Sequence, residues 1–246
     1  MQALTAPLVP PVIVISQPML FPWVGLFEQI RLADIYVHYS DVQFSKGSFV
    51  NRVQIKTDRG IRWLTVPLRG LELGQRINQV IIDERKDWRG SHLALLARAF
   101  SGMPFKSEAL TLVERTYAST KESLLDLVVA GLTLTISFLG LDKDRRFLHS
   151  SELGIDGSGS ERVLAIVRAL GGKTYVTGHG ARNYLDHDAF ERAGIDVQYM
   201  NYRKAPYPQQ HGEFTPYVSI LDLIANLGPN GLRYINSGTV KWRQFA

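Results

Sequence analysis

Two clusters of polar side chains in this sequence combine the residue types that ligand binding and proton transfer require. The first cluster brings residues 17–25 together with residues 41–46, Asn51 and Arg52. Its amides can orient a ligand, its carboxylate can accept a proton, and its Lys and Arg side chains can bind phosphate. Residues 41–70 hold six basic and two acidic side chains, which is +4 of the net charge of +5. The alternative is that these charges lie on the solvated face of an ordinary hairpin.

The second cluster is a glycine-rich loop, residues 177–184, in which two glycines flank His179, together with Tyr207, Gln209 and His211. Glycine lets the backbone approach a ligand closely, and histidine can exchange protons near neutral pH. Arg182 in the same loop can bind an anion. The alternative is a simple turn that leads into a helix beginning near Asp186.

Several classes of chemistry are excluded by the sequence. The chain has no cysteine, so it has no disulfide, no thiolate nucleophile and no cysteine-ligated metal. Its six histidines do not show the paired spacing of a zinc site, and the serine motif of a nucleophile elbow is missing. We therefore expect no metal site, and catalysis by His, Asp, Lys or positioning alone.

Two glycine-containing segments resemble phosphate-binding loops, but each lacks a required glycine. Residues 171–174, Gly-Gly-Lys-Thr, lack the first glycine of a P-loop. Residues 156–160, Asp-Gly-Ser-Gly-Ser, lack the third glycine of a dinucleotide fingerprint, because Arg162 occupies that position. We interpret the first segment as a helix stop and the second as a flexible helix start, with a capping box between Ser158 and Glu161.

The overall composition favours a cytoplasmic protein that binds small anionic molecules. A net charge of +5 and an isoelectric point near 9.4 favour such ligands at least as much as nucleic acid. Residues 1–16 lack the basic start of a signal peptide. Residues 124–141 are apolar but include Asp126, which indicates a buried helix and not a membrane span. The same helix has enough apolar surface for a homodimer interface.

The elements that must position the two clusters indicate a parallel sheet. A β-branched strand over residues 12–15, a helix over 25–33 and a strand over 35–39 form a βαβ unit. Further strands are predicted over 175–177 and 195–202. Because both polar groups of the first cluster follow strand ends, we expect them to lie where parallel strands end and ligands bind.

The rest of the chain predicts a hairpin and several helices. The predicted strands cover residues 50–57, 61–67 and 77–83, and the helices cover 92–100, 107–117, 121–139, 161–170 and 219–227. No linker divides the sequence. We expect one α/β domain over residues 1–246, with a helical insertion at about residues 87–140.

The residues of both clusters resemble those of the WbqC-like family. The family opening, approximately His-Gln-Pro-x-Tyr-x-Pro-Trp-x-Gly-Tyr-Phe, corresponds here to Ser-Gln-Pro-Met-Leu-Phe-Pro-Trp-Val-Gly-Leu-Phe at residues 16–27. The resemblance extends along nearly the whole chain, at residues 33–34, 41–46, 51–56, 63–67, 175–178, 184–186, 207–209 and 219–222. Ser16, Leu20 and Leu26 depart from it, since the family has a histidine and two tyrosines at these positions.

This resemblance implies an enzyme of surface-polysaccharide (O-antigen or glycolipid) biosynthesis. The implied reaction transfers a glycyl, another aminoacyl or another acyl group to the amine of a nucleotide-linked amino sugar. If the family histidine is a base, Ser16 is a poor replacement, so this member has altered chemistry or another substrate.

Twelve residues receive roles in this hypothesis. Lys46, Arg52 and Arg182 hold phosphate by charge and hydrogen bonds. Asp41 or His179 removes a proton from the attacking amine. Seven further side chains, with amide or aromatic groups, bind the substrate: Gln17, Gln43, Asn51, Trp23, Tyr184, Tyr207 and Gln209.

A second resemblance concerns nucleotidyltransferases of the pantothenate-synthetase kind. In those enzymes a strand ends in a loop that carries His-x-Gly-His at a helix start, and Trp-Val-Gly-Leu at residues 23–26 occupies the equivalent place. This similarity implies a mostly parallel Rossmann-like (nucleotidyltransferase-like) sheet and an ATP-dependent amide ligase that uses ATP and Mg²⁺. Both histidines are missing here, which argues against efficient adenylyl transfer.

Two alternatives stay open. The first is an enzyme that transfers an adenylyl or nucleotidyl group to an acceptor other than a sugar. The second is a degenerate nucleotidyltransferase-like binding module that holds a sugar nucleotide or tRNA without turnover. An RNA-binding module would lose affinity steeply with salt, whereas a module for one diphosphate ligand would not.

Overall fold

The computed structural model describes residues 9–245. Residues 1–8, on which the signal-peptide expectation partly rests, lie outside the described residues.

The described chain forms ten strands and seven α-helices. The strands are β1 (Val12–Ser16), β2 (Ile35–His38), β3 (Arg52–Thr57), β4 (Gly60–Thr65), β5 (Leu68–Arg69), β6 (Ile81–Ile82), β7 (Arg146–His149), β8 (Thr174–Thr177), β9 (Asp196–Asn201) and β10 (Gly238–Lys241). The helices are α1 (Val24–Leu32), α2 (Trp88–Ala99), α3 (Lys106–Ala118), α4 (Leu124–Phe138), α5 (Gly159–Ala169), α6 (His187–Arg192) and α7 (Ile220–Leu227).

A six-stranded sheet in the order β10-β9-β8-β1-β2-β7 forms the centre of the fold. Every neighbouring pair is parallel except β9 and β10. The chain starts in the middle with β1, builds outward to β7, and returns to the middle at β8. The strand order therefore reverses between β1 and β8, which confirms the expected α/β fold with a mostly parallel sheet.

Both faces of the sheet are covered, which explains the unbroken apolar run of β1. Ile13 and Ile15 belong to the core that α5 and α6 complete. Val14 points the other way, into a larger core that includes α1, α4 and α7. These two cores hold the strand ends rigidly, and the loops that follow the strands are positioned by them.

In the segment between β2 and β7, most of one predicted strand is not formed. Residues 77–83, predicted as a strand, form a 3-10 turn at Ile77–Gln79 and only the two-residue β6. The Ile77 amide donates to the Val42 carbonyl and the Asn78 amide to the Ser40 carbonyl, so these donors are taken by the loop after β2 and cannot join a ladder.

Helix α4 is an internal element of the larger core. It has 15 residues, and within residues 9–245 no helix is long and apolar enough to cross a membrane. Most of its apolar side chains are buried in this core or packed half-buried against it, and none of the exposed large hydrophobic side chains belongs to it. The homodimer expected on this helix stays a prediction.

Candidate functional site

A cavity of about 950 Å³ opens where the sheet order reverses. Its walls come from the ends of β1 and β8 and from the loops after β2 and β9, which is the usual ligand position in an open parallel sheet. Six of the twelve predicted residues line it: Gln17, Trp23, Asp41, Gln43, His179 and Tyr184.

His179 directly follows the glycine at the end of β8 and lies in the cavity wall. Its Nε2 is 2.7 Å from the Met200 carbonyl oxygen. Because a carbonyl only accepts hydrogen bonds, Nε2 carries a proton, and in the neutral form of the ring the electron pair is on Nδ1. Tyr202 and Phe245 pack against the ring with centroid distances of 5.1 and 4.7 Å. A histidine fixed in this tautomer can accept a proton at Nδ1.

His179 can take this position because residue 178 is a glycine. The space that a side chain at residue 178 would need is already occupied. A Cβ atom at Gly178 would lie 3.1 Å from both the Gln29 Nε2 and the Tyr202 hydroxyl. These two groups are bonded to each other at 2.5 Å. The glycine therefore has a packing reason as well as a functional one, since the loop passes directly over a buried polar pair.

Asp41 lines the cavity, but its carboxylate is already hydrogen-bonded to other side chains. Arg162 binds it in a forked arrangement, with Nη1 3.0 Å from Oδ1 and Nη2 2.5 Å from Oδ2, and the Ser150 hydroxyl donates to Oδ1 at 2.5 Å. Burial acts to raise the pKa of Asp41, but the hydrogen bonds from Arg162 and Ser150 outweigh it and hold the pKa below its usual value. Asp41 is therefore a charged anchor for Arg162 and a weaker proton acceptor than an unpaired carboxylate.

The start of α5 forms part of the same cavity wall. Residues 157–159 line it, and Gly157 and Gly159 both have positive φ. The capping box predicted for Ser158 is wrong, because the Ser158 side chain makes no capping hydrogen bond. The first amides of α5 consequently lack a side-chain cap, and amides at a helix start favour anions.

The three residues predicted to hold phosphate do not line the cavity. Lys46 and Arg182 are exposed outside it. The Arg52 guanidinium lies over the Trp63 ring, 4.0 Å from its centroid. The cationic side chains in the lining besides Arg162 are instead Arg76 and Lys204.

Asn51, Tyr207 and Gln209, predicted to bind substrate, are used inside the protein. The Asn51 amide donates to the Val66 carbonyl at 2.9 Å. The Tyr207 hydroxyl donates to the buried Asp222 carboxylate at 2.9 Å, and the Gln209 amide donates to Tyr207 at 3.0 Å. These groups lie outside the cavity and are engaged in internal hydrogen bonds, so the geometry gives them structural roles.

The sequence did not single out several cavity residues. Arg76, Tyr202, Lys204 and Tyr217 line the cavity from loops with no motif of their own. A weak signal did exist for the start of α5, since residues 156–160 resemble a phosphate-binding loop. No sequence motif predicts the four residues from the other loops, because only the folded chain brings them together.

The cavity has few ligands for a cation. Within residues 9–245, no group of three or more His, Asp or Glu side chains could hold a metal ion. The single carboxylate of the lining is Asp41, and Arg162 binds both of its oxygens. The residues present therefore do not fit a protein-held magnesium site.

Comparisons with known proteins identify the family. The chain matches the WbqC-like protein family over residues 17–234. It belongs to the WbqC-like family. It is also 32% identical over 228 residues to "Uncharacterized protein Rv1507c" of Mycobacterium tuberculosis, which corresponds to 90% of this chain and 97% of that relative. No solved structure matches it.

Two positions where this WbqC-like chain departs from the family opening lie in the cavity. Ser16 and Leu26 both line it, whereas Leu20 is buried in the larger core. The departures at residues 16 and 26 therefore change the cavity wall, and the departure at residue 20 lies in the core.

Proposed function

We propose that this WbqC-like protein transfers a glycyl, another aminoacyl or another acyl group to the amine of a nucleotide-linked amino sugar. Membership of the family suggests a role linked to polysaccharide biosynthesis clusters. A nucleotide-activated substrate fits the cytoplasmic location expected from the sequence. The geometry of His179 is the observation that carries the proposal.

His179 provides the proton acceptor that the reaction needs. Its Nε2–H is fixed on the Met200 carbonyl, so Nδ1 is the basic nitrogen. Asp41 is paired with Arg162, so His179 is the better of the two predicted bases. The neutral amine attacks the carbonyl carbon of an activated acyl donor, and the C–N bond of an amide forms. The bond to the leaving group breaks, and the amine proton passes to His179.

The size and charge of the cavity suit such a substrate. Its volume of about 950 Å³ is at the upper end of the range for small-molecule sites. Arg76, Lys204 and the uncapped start of α5 replace Lys46, Arg52 and Arg182 as the proposed phosphate ligands. Gln17 and Gln43 offer amides for the sugar or the acyl donor, and Trp23 offers an aromatic wall.

The acyl donor is left open between an adenylate made from ATP and a thioester. Asp41 does not offer a free oxygen to Mg²⁺, so a magnesium ion would enter bound to the phosphates of a nucleotide.

Intact mass spectrometry tests this proposal. The protein is incubated with UDP-linked amino sugars, ATP, Mg²⁺ and pooled amino acids, and in parallel with acyl thioesters. We expect a sugar nucleotide heavier by one acyl residue, with AMP release if the donor is an adenylate. The His179→Gln variant should form far less product. The proposal is overturned if no product forms and the sugar nucleotide does not stabilise the protein against heat.

A binding module without turnover is the second candidate. It is favoured by one observation, that Ser16 and Leu26 line the cavity where the family has hydrogen-bonding side chains. In that case the sugar nucleotide should stabilise the protein against heat, and no product should form with any donor. A filter-binding titration against salt separates this ligand from tRNA, whose binding would weaken steeply.

A further inference from the structure

A second cavity, of about 880 Å³, lies between the β3–β4 hairpin and helix α2. It shares no lining residue with the cavity at the sheet reversal. Arg59 and Arg62 enter it from the hairpin, Arg98 from the end of α2, and His211 from the loop after β9. Nothing in the proposed transfer reaction uses this place.

The lining of this second cavity is positively charged. Its lining contains three arginines and one carboxylate, that of Asp58, so its formal charge without His211 is 3 − 1 = +2. Within residues 9–245 the salt bridges involve other side chains, and none of these three arginines takes part in one. Like charges that share a concave surface repel one another and raise the local concentration of anions.

The walls of the second cavity are held in place by hydrogen bonds. At the hairpin turn, Thr57 Oγ1 donates to the Gly60 carbonyl at 2.7 Å and accepts from the Arg59 amide at 3.2 Å. On the opposite wall, His211 Nε2 donates to the Ala99 carbonyl at 2.7 Å. His211 has a φ of 65°, a left-handed conformation that is costly for a residue other than glycine. This bond therefore fixes the loop to the end of α2.

We propose that the second cavity binds a ligand with a diphosphate or longer phosphate group. Guanidinium groups match phosphate oxygens with two parallel hydrogen bonds, which lysine cannot do. A charge of +2 in a cavity of limited volume suits a compact polyanion better than an extended nucleic acid backbone. The phosphate can belong to a free nucleotide or to a lipid headgroup. The proposal does not rest on the transfer reaction.

Calorimetric titration of the full chain with inorganic pyrophosphate tests the site. The Arg62→Gln/Arg98→Gln double variant removes two guanidinium groups from the cavity. Arg115→Gln/Arg168→Gln is the matched control, because both of these arginines are exposed on helices outside both cavities. Arg76→Gln reports binding in the first cavity.

We expect the wild-type chain to bind pyrophosphate and the Arg62/Arg98 variant to bind it about a hundredfold more weakly, about tenfold for each arginine. The control and Arg76→Gln should keep the wild-type affinity at this site. ADP and vesicles that carry a polyprenyl diphosphate then separate the two sources, and binding of either that the Arg62→Gln/Arg98→Gln variant weakens supports the site. No binding of pyrophosphate, equal losses in the control, or binding only of single-stranded RNA would overturn it.

Discussion

Two regions that look alike in the sequence differ in the fold: in one the polar side chains are hydrogen-bonded to each other, and in the other they face a cavity. The cavity at the sheet reversal and the buried network around Lys56 both contain Gln, Tyr, Asp and basic residues. In the network, Lys56 donates to Gln209 Oε1 and to the carbonyls of Gly212 and Glu213. In the cavity, Gln17 and Gln43 form hydrogen bonds only through backbone atoms within residues 9–245.

The difference lies in how fully each side chain is satisfied. Gln209 donates two hydrogen bonds, to Tyr207 and Thr215, and accepts two, from Lys56 and the Thr215 amide. An amide side chain has no further capacity, so Gln209 has none left for a ligand. His179, in the cavity wall, forms a hydrogen bond through Nε2 alone among the residues that the structure describes. Unused hydrogen-bonding capacity that faces a cavity separates a binding residue from a structural one.

The largest effect is expected from Lys56→Met. The substitution removes the donor of the Gly212 and Glu213 carbonyls and one of the two donors of the Gln209 oxygen, and it takes a buried cation from beside the buried Asp222. We expect the free energy of unfolding to fall by about 4 kcal/mol. Urea denaturation measures it, with Lys121→Met as the exposed control. A loss of transferase activity with no loss of stability would place Lys56 with the cavity residues instead.

His179→Gln should give the converse result. Loss of the proton acceptor should slow acyl transfer about a hundredfold, or about 2.7 kcal/mol in activation free energy, with nearly unchanged stability. Single-turnover rates with the product detected by mass measure this effect. His187→Gln is the matched control, since His187 binds the Tyr199 hydroxyl outside the cavity. Equal rates for the His179 variant and the wild type would remove His179 from catalysis.

Arg162→Gln concerns a residue that shares features of both regions, because Arg162 lines the cavity and is also buried. We expect a loss of about 2 kcal/mol in unfolding free energy, between the values for exposed and buried ion pairs. Arg168→Gln on the same helix serves as the control.

The pH dependence of that loss follows from Asp41. Burial acts to raise its pKa, and hydrogen bonds from Arg162 and Ser150 lower it further than burial raises it. The folded-state pKa is therefore below the unfolded one, so the pair stabilises fully above about pH 4 and less as the pH falls through the folded pKa. The stability difference between wild type and Arg162→Gln should shrink below about pH 4. A constant difference would show that Asp41 is not the group responsible.

The smallest effect is expected from Tyr207→Phe. It removes the hydrogen bond to Asp222 and costs about 1 kcal/mol of stability, with no change in ligand affinity. Tyr234→Phe is the matched control, because Tyr234 packs on the Tyr207 ring and has no hydrogen bond from its hydroxyl within the described residues. A weaker affinity for the sugar nucleotide in Tyr207→Phe would break the distinction between the two regions.

The sequence predicts the fold better at its centre than at its edges. The apolar β1 and β2 are covered on both faces, so their sequences carry a strong signal. β7 and β10 were not predicted, because edge strands of four residues such as Arg146–His149 keep polar residues and lack a continuous apolar run.

The candidate site shows the same pattern. Asp41 and His179 could be found because each follows a predicted strand, and parallel strands end at one edge. Arg162 could not be paired with Asp41, since the two are far apart in the sequence and only the sheet brings them together. The structural roles of Tyr207 and Gln209 were equally hidden, because a sequence does not show which polar groups are already satisfied.

The position of β7 has a consequence for how the protein folds. β2 pairs with β7 across residues 39–145, a span on the order of 100 residues, and closing so long a loop is slow. The β1–α1–β2 unit and the α2–α4 helices rely on contacts that are closer in sequence and should form earlier. Ser150 and Arg162 follow β7 in the chain, so their bonds to Asp41 should appear among the last steps of refolding. A partly folded chain would then have a core before it has a binding cavity.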